Sequence, residues 1–234
     1  MSEFYAALVT ASHLILSLDP GLAEIVLLSL RVSLVAVGLA ALIGMPLGAA
    51  IALYHFPGRS VLATLLSACM GLPPVVVGLV IYLLLSRSGP LGPLGLLFTP
   101  TAMIIAQCVL VTPIIAALTR QTITDLNEEY DEQFRAMGAG GLRKMRALLW
   151  DGRFSLVTAV LAGFGRASAE VGAVLIVGGN IDHVTRVMTT TIALETSKGN
   201  LALALALGLI LIAISISVNA AAVSVRDVAY RRYR

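Results

Sequence analysis

Five long apolar runs, separated by short polar or Gly/Pro-rich stretches, dominate the hydropathy pattern of this 234-residue chain. They lie at about 23–53, 60–86, 99–119, 154–178 and 200–224. Each is near or above the ~20 residues that a helix needs to cross ~30 Å of hydrocarbon. The pattern predicts an all-α, polytopic membrane helical bundle with about five transmembrane helices. Ahead of the first run, a weakly amphipathic piece from Phe4 to Leu18 is too short to cross, and it predicts an N-terminal interfacial helix. That segment, 1–22, closes on Asp19-Pro20-Gly21, a turn and helix-start signal.

Several runs carry built-in interruptions. In the first, Gly44-Met45-Pro46-Leu47-Gly48 predicts a kink and a small-xxx-small packing face. In the second, Pro73-Pro74 removes two consecutive helix donors, so the helix breaks within the membrane. The fourth is rich in Gly and Ala from Gly163 to Ala173, which suits close approach of helices, at a dimer seam or a pore wall. Residues 87–98 read as a turn-rich loop and 179–199 as a polar one.

Composition strengthens the membrane reading. The chain is 58% hydrophobic and 12% charged, with a mean hydropathy of +0.94. Its net charge of +3 is no nucleic-acid signal, because the cations sit in loops and tail, where they set topology. Eleven of the sixteen Lys and Arg lie at Arg59, in 120–153 and in the basic tail 226–234. Only Arg87, Arg186 and Lys198 fall on the other side. The richer side is cytoplasmic, which puts the N-terminus outside and the C-terminus inside. Cys69 and Cys108 fall inside runs and read as packing thiols. His13, His55 and His183 are scattered without metal-ligand spacing. No Gly-rich phosphate cradle precedes either lysine, Lys144 or Lys198, so no nucleotide site of that type is expected. No catalytic residues, metal or cofactor are expected either.

Two clusters remain as candidate functional residues. Arg31, Arg166 and Glu170 are ionisable groups inside spans, where charge is costly and marks a pathway or a structural pair. Glu170 can neutralise Arg166 one turn away or Arg31 across helices. The first arrangement leaves Arg31 to face the path, the second leaves Arg166. Similar depth on spans 1 and 4 favours the Arg31–Glu170 contact. The second cluster is the charged stretch 128–153, read as two short helices broken at 138–141.

Within that stretch, Glu132-Gln133-Phe134-Arg135-Ala136-Met137-Gly138-Ala139 resembles the coupling loop of ABC-importer permeases, of pattern E-A-A-R-x-L-G-A. Glu132, Arg135, Gly138 and Ala139 match; Gln133 and Phe134 replace the usual small pair, and the later Pro is missing. Pro73-Pro74 in its apolar context, Ala169-Glu170-Val171-Gly172-Ala173, and Gly179-Asn180-Ile181 with Thr185-Arg186 are similar to molybdate/tungstate oxyanion permeases. The 186–190 and 194–199 runs look closer to the tungstate-type branch.

The resemblance implies a type I importer permease, a single transmembrane domain over 1–234 with core 23–225 and cytoplasmic coupling loop 120–153. It implies partners: cytoplasmic ABC ATPase subunits, an extracytoplasmic oxyanion-binding protein and a second copy of the chain, in the inner membrane. Glu132, Arg135, Gly138, Ala139 and Leu142 would meet the ATPase. The cargo expected is tungstate, with molybdate or sulfate as the alternative. A non-transporting membrane scaffold is the alternative of another class.

Overall fold

The computed structural model describes the backbone of residues 2–17 and 19–232, and the side chains of these except 2–4, 6, 222 and 225–232. The side chains of the basic tail expected at 226–234 therefore lie outside the described residues. Among the described residues every regular element is helical. In chain order they are α1 (Ser2–Leu16), α2 (Pro20–Leu53), α3 (Arg59–Cys69), α4 (Pro74–Leu85), a 3-10 turn (Gly92–Leu94), α5 (Pro100–Ala136), α6 (Gly141–Asp151), α7 (Arg153–Ser168), α8 (Gly172–Gly178), α9 (Met188–Ser197) and α10 (Leu201–Arg232). By length and composition α2, α5 and the Leu201–Ala221 part of α10 can each cross a membrane. The bent pairs α3–α4 and α6–α7 raise that number to five if each is one span.

Local chemistry sets the helix ends. Pro20 opens α2, where a missing N–H costs nothing, and the Asp19 carboxylate accepts the Leu22 N–H at 3.0 Å. At the other end, the Arg59 guanidinium donates to the Ile51 and Ala52 carbonyls at 2.7 and 2.8 Å. Those carbonyls have no partner within the helix, so Arg59 caps it. α2 runs through Pro46 without a break. The expected break at Pro73-Pro74 is present. α3 tightens into turns at Met70, Gly71 and Leu72, and the chain restarts as α4 at Pro74.

Three expectations change. The third span does not end near residue 119: α5 continues to Ala136. Ile123, Leu126, Tyr130 and Phe134 keep helical spacing and pack with Ala49, Ala52 and Leu148, so the helix has an apolar face to bury. The fourth run is not continuous, because the chain leaves helix between Ser168 and Gly172. The polar loop expected at 179–199 holds α9, with Met188, Thr189, Thr190, Thr191 and Glu195 buried. Its threonines are satisfied internally: Thr190 and Thr191 donate to the Val187 carbonyl and Thr189 to that of Glu170.

The chain folds into two compact units, each drawn from three segments. The first comprises Met1–Ala36, Pro73–Gln107 and Arg166–Ser217. In it α1 is a packed helix: Ala11 is buried with Leu22, Met188, Ala206 and Leu207. α4 lies against α8 at van der Waals distance. A Cβ on Gly78 would fall 2.7 Å from Ala173 Cα, and one on Gly172 would fall 2.8 Å from Val75 Cγ2. The second comprises Val37–Leu72, Cys108–Gly165 and Val218–Arg234. There the Gly44 and Gly48 stripe is the face on which α5 sits. A Cβ at Gly44 would meet the Thr112 carbonyl at 3.1 Å, and one at Gly48 would run into that of Ala116.

Candidate coupling surface and buried-charge site

The coupling candidate lies where α5 gives way to α6, in the second unit. The helix stops because Gly138 adopts φ +61°, which residues with a Cβ disfavour, and its N–H bonds the Arg135 carbonyl at 3.0 Å. Gly140 is extended, and α6 starts at Gly141 against the ring of Tyr54. Buried Leu148, with Met145 and Leu149, packs α6 onto the Ala49–Ala52 end of α2 and onto α5.

One ion-pair hub ties the two helices across the turn. The Asp131 carboxylate accepts from Lys144 Nζ at 2.6 Å and Arg135 Nε at 2.7 Å. Lys144 is mostly buried and also lies 5.7 Å from the centre of the Phe134 ring. Phe134, unusual for the resembled motif, thus has a packing role. Asp131 was not among the residues singled out from sequence. Its Arg135 partner, four residues on, was a legible signal; Lys144, thirteen residues on across a turn, was not.

Of the predicted coupling residues, Glu132, Arg135, Gly138 and Leu142 are exposed and Ala139 is half-buried. Met137 and Trp150 are also exposed, at 67% and 68%. The corner therefore presents large apolar side chains next to charge, a combination suited to a protein partner.

The buried-charge candidate lies in the first unit, where α7 breaks before α8. Glu170 is 4% exposed. One carboxylate oxygen accepts from Arg166 Nη1 at 2.7 Å, and the other accepts the Ala173 N–H at 3.0 Å. Glu170 thus balances a charge and caps the first turn of α8. Two of the carbonyls at the break accept side-chain hydrogen bonds. Ala167 O accepts from Gln107 Nε2 at 3.1 Å and Glu170 O from Thr189 Oγ1 at 2.8 Å. The Arg31–Glu170 contact favoured from depth is not formed. Glu170 takes the same-helix-side partner because the break turns its carboxylate back onto Arg166. Arg31 stands exposed on α2 and makes no ion pair among the described residues.

A third polar link joins the loop after α8 to α2. His183 Nδ1 lies 2.8 Å from Glu24 Oε2, and the Glu24 carboxylate raises the His183 pKa above its ordinary value. Asp182 pairs with Arg186 at 2.7 Å. A cavity of about 240 Å³ opens between these groups and Asp19.

An all-helical chain with several membrane-length helices, a charged corner beside them and a charge pair buried at a helix break is a multi-pass membrane transport component. It belongs to the family of binding-protein-dependent transport system inner membrane components, whose model matches residues 44–230. It is 44% identical over 187 residues to the "Probable anion ABC transporter permease protein" of Haloferax volcanii, covering 77% of this chain and 80% of that one. It is 41% identical over 190 residues to the tungstate uptake system permease protein TupB of Peptoclostridium acidaminophilum, covering 81% and 83%. Identity to the sulfate transport system permease protein CysW of Escherichia coli is 29% over 183 residues, covering 75% and 63%.

Proposed function

We propose that the chain is the permease subunit of an ATP-driven importer that carries an oxyanion, in the first place tungstate, into the cytoplasm. The observation that carries this reading is the 41% identity to a tungstate uptake permease over four fifths of both chains. The weaker identity to a sulfate permease makes sulfate the reference competitor.

In this reading two copies enclose the path, two cytoplasmic ATPases supply the energy and an extracytoplasmic binding protein delivers the anion. The N-terminus is outside and the C-terminus inside, consistent with eleven of sixteen cations on the C-terminal side. The corner between α5 and α6 docks on the ATPase through Glu132 and Arg135 of α5, the Gly138–Ala139 turn and Leu142 of α6. Asp131 and Lys144 make α5 and α6 move together, so ATPase closure reaches the membrane through α5. Since Glu170 already neutralises Arg166, Arg31 is the cation left to lend positive potential to a dianion. A charge facing lipid near the bilayer centre costs ~2.5–3.5 kcal/mol on insertion scales, which favours a wet path as its surroundings.

The test is tungstate uptake into proteoliposomes holding the whole assembly, with molybdate and sulfate as competitors. Tungstate uptake that excess sulfate leaves intact is expected. Sulfate uptake with tungstate excluded would overturn the assignment of cargo.

A further inference from the structure

Within the first unit, α2, α5, α9, α10 and the last turn of α7 line a small cavity of about 20 Å³. That is room for one water, which needs ~10–15 Å³. Five polar side chains face it: Ser29, Ser33, Gln107, Ser168 and Thr189. Two of them are engaged by the protein. Ser29 Oγ donates to the Ile25 carbonyl and accepts the Met188 N–H, both at 2.7 Å. Thr189 Oγ1 gives its proton to the Glu170 carbonyl. The Ser33 and Ser168 hydroxyls make no hydrogen bond among the described residues. Gln107 is 4% exposed, and its Nε2 donates to the Ala167 carbonyl at 3.1 Å. This bond fixes the orientation of the amide, because Oε1 in the same place would face another acceptor. Gln107 Oε1 is then buried and has no partner among the described residues.

A buried acceptor left without a donor is costly, and the groups around it say which guest fits. Gln107 Oε1 must receive a hydrogen, so an anion is repelled there. No acidic side chain lines the cavity among the described residues, so a cation would find no counter-charge. A small neutral molecule that both donates and accepts is what remains. We propose that one structural water is bound here, donating to Gln107 Oε1 and to one of the Ser33 and Ser168 hydroxyls and accepting from the other. That makes three hydrogen bonds, the usual number for a buried water. The water ties α2 through Ser33 and α5 through Gln107 to the end of α7 through Ser168. It thereby completes the support of the break before α8, where Gln107 already holds the Ala167 carbonyl. The proposal rests on the first unit alone, whatever the cargo.

The experiment is X-ray radiolytic footprinting of the intact assembly, read by mass spectrometry. Radiolysis of a bound water makes a hydroxyl radical in place, which oxidises an adjacent methionine to the sulfoxide. Met188 lines the cavity and is 3% exposed. Met103, 0% exposed and set against Gly178, does not line it and is the dry control. Met188 is expected to oxidise several times faster than Met103 in the X-ray pulse. Both should resist dissolved peroxide at a dose that oxidises free methionine in the same sample. Ser33→Val removes one partner and fills the space, and should bring Met188 down to the Met103 rate. Ser33→Ala combined with Ser168→Ala leaves the water only Gln107 and should do the same without adding bulk, so the test survives if Ser33→Val assembles poorly. Equal rates for the two methionines in the wild type would overturn the proposal. So would oxidation of Met188 by peroxide, which would mean access from bulk solvent, or fast Met188 oxidation retained in an assembled variant.

Discussion

Glu170→Gln probes the buried-charge site most sharply. The Glu170 side chain is 3% exposed and that of Arg166 is 30%. In the variant, one amide oxygen can still accept the Ala173 N–H, but the amide NH2 then faces the guanidinium, donor against donor. Removing one partner of a fully buried pair costs ~3–5 kcal/mol. Arg166 keeps some access to water, so ~2–3 kcal/mol is the appropriate range. For a chain of this size that is a fall in Tm of ~5–10 °C. Arg166→Gln leaves a buried carboxylate without its cation and should cost a similar amount. The double variant has neither stranded charge and should recover most of the loss, giving a coupling of ~1.5–3 kcal/mol. The assay is thermal unfolding of the detergent-purified assembly for the four proteins of the cycle. The parallel cycle with Arg31→Gln should show no coupling. Additive losses for Arg166 and Glu170, or coupling between Arg31 and Glu170, would refute the assignment.

Further expectations concern the other links. Asp131→Asn should weaken uptake more than ATPase binding, measured as anion moved per ATP hydrolysed, and the swap Asp131→Lys with Lys144→Asp should restore part of the ratio. Gly78→Leu forces a side chain into the α8 backbone and should cost ~1–3 kcal/mol, read as lower Tm. The His183–Glu24 link is held when His183 is protonated. Because the folded pKa is raised, its contribution is complete below the ordinary histidine range and lost as pH rises through the raised value. Hydrogen exchange of residues 181–187 should therefore quicken from pH 6 to pH 8 beyond the intrinsic rate, and His183→Phe should remove that excess.

Much of this architecture was legible because hydrocarbon demands long uninterrupted apolar helices. α2, α5 and α10 were visible as runs, and the breaks at Pro73-Pro74 and Gly138 followed from missing donors and left-handed backbone. The break at 169–171 was hidden. No proline marks it, and it is stabilised by distant groups, Gln107 on α5 and Thr189 on α9. α9 was hidden for a related reason. Its three consecutive threonines read as polar loop, yet each hydroxyl finds a backbone carbonyl, so the helix can be buried. At the coupling corner the motif exposed Glu132, Arg135 and Gly138, while Asp131 depends on a lysine that only the turn brings near.

In the proposed assembly, motion at the α5–α6 corner couples ATP hydrolysis to anion uptake, and the two are to be measured together in proteoliposomes. Gly138→Pro is the perturbation, because proline cannot adopt φ +61° and removes the N–H bonded to Arg135. The variant is expected to insert and hydrolyse ATP while tungstate uptake per ATP falls at least tenfold. An unchanged ratio, with normal uptake in both Gly138→Pro and Glu132→Lys, would contradict it.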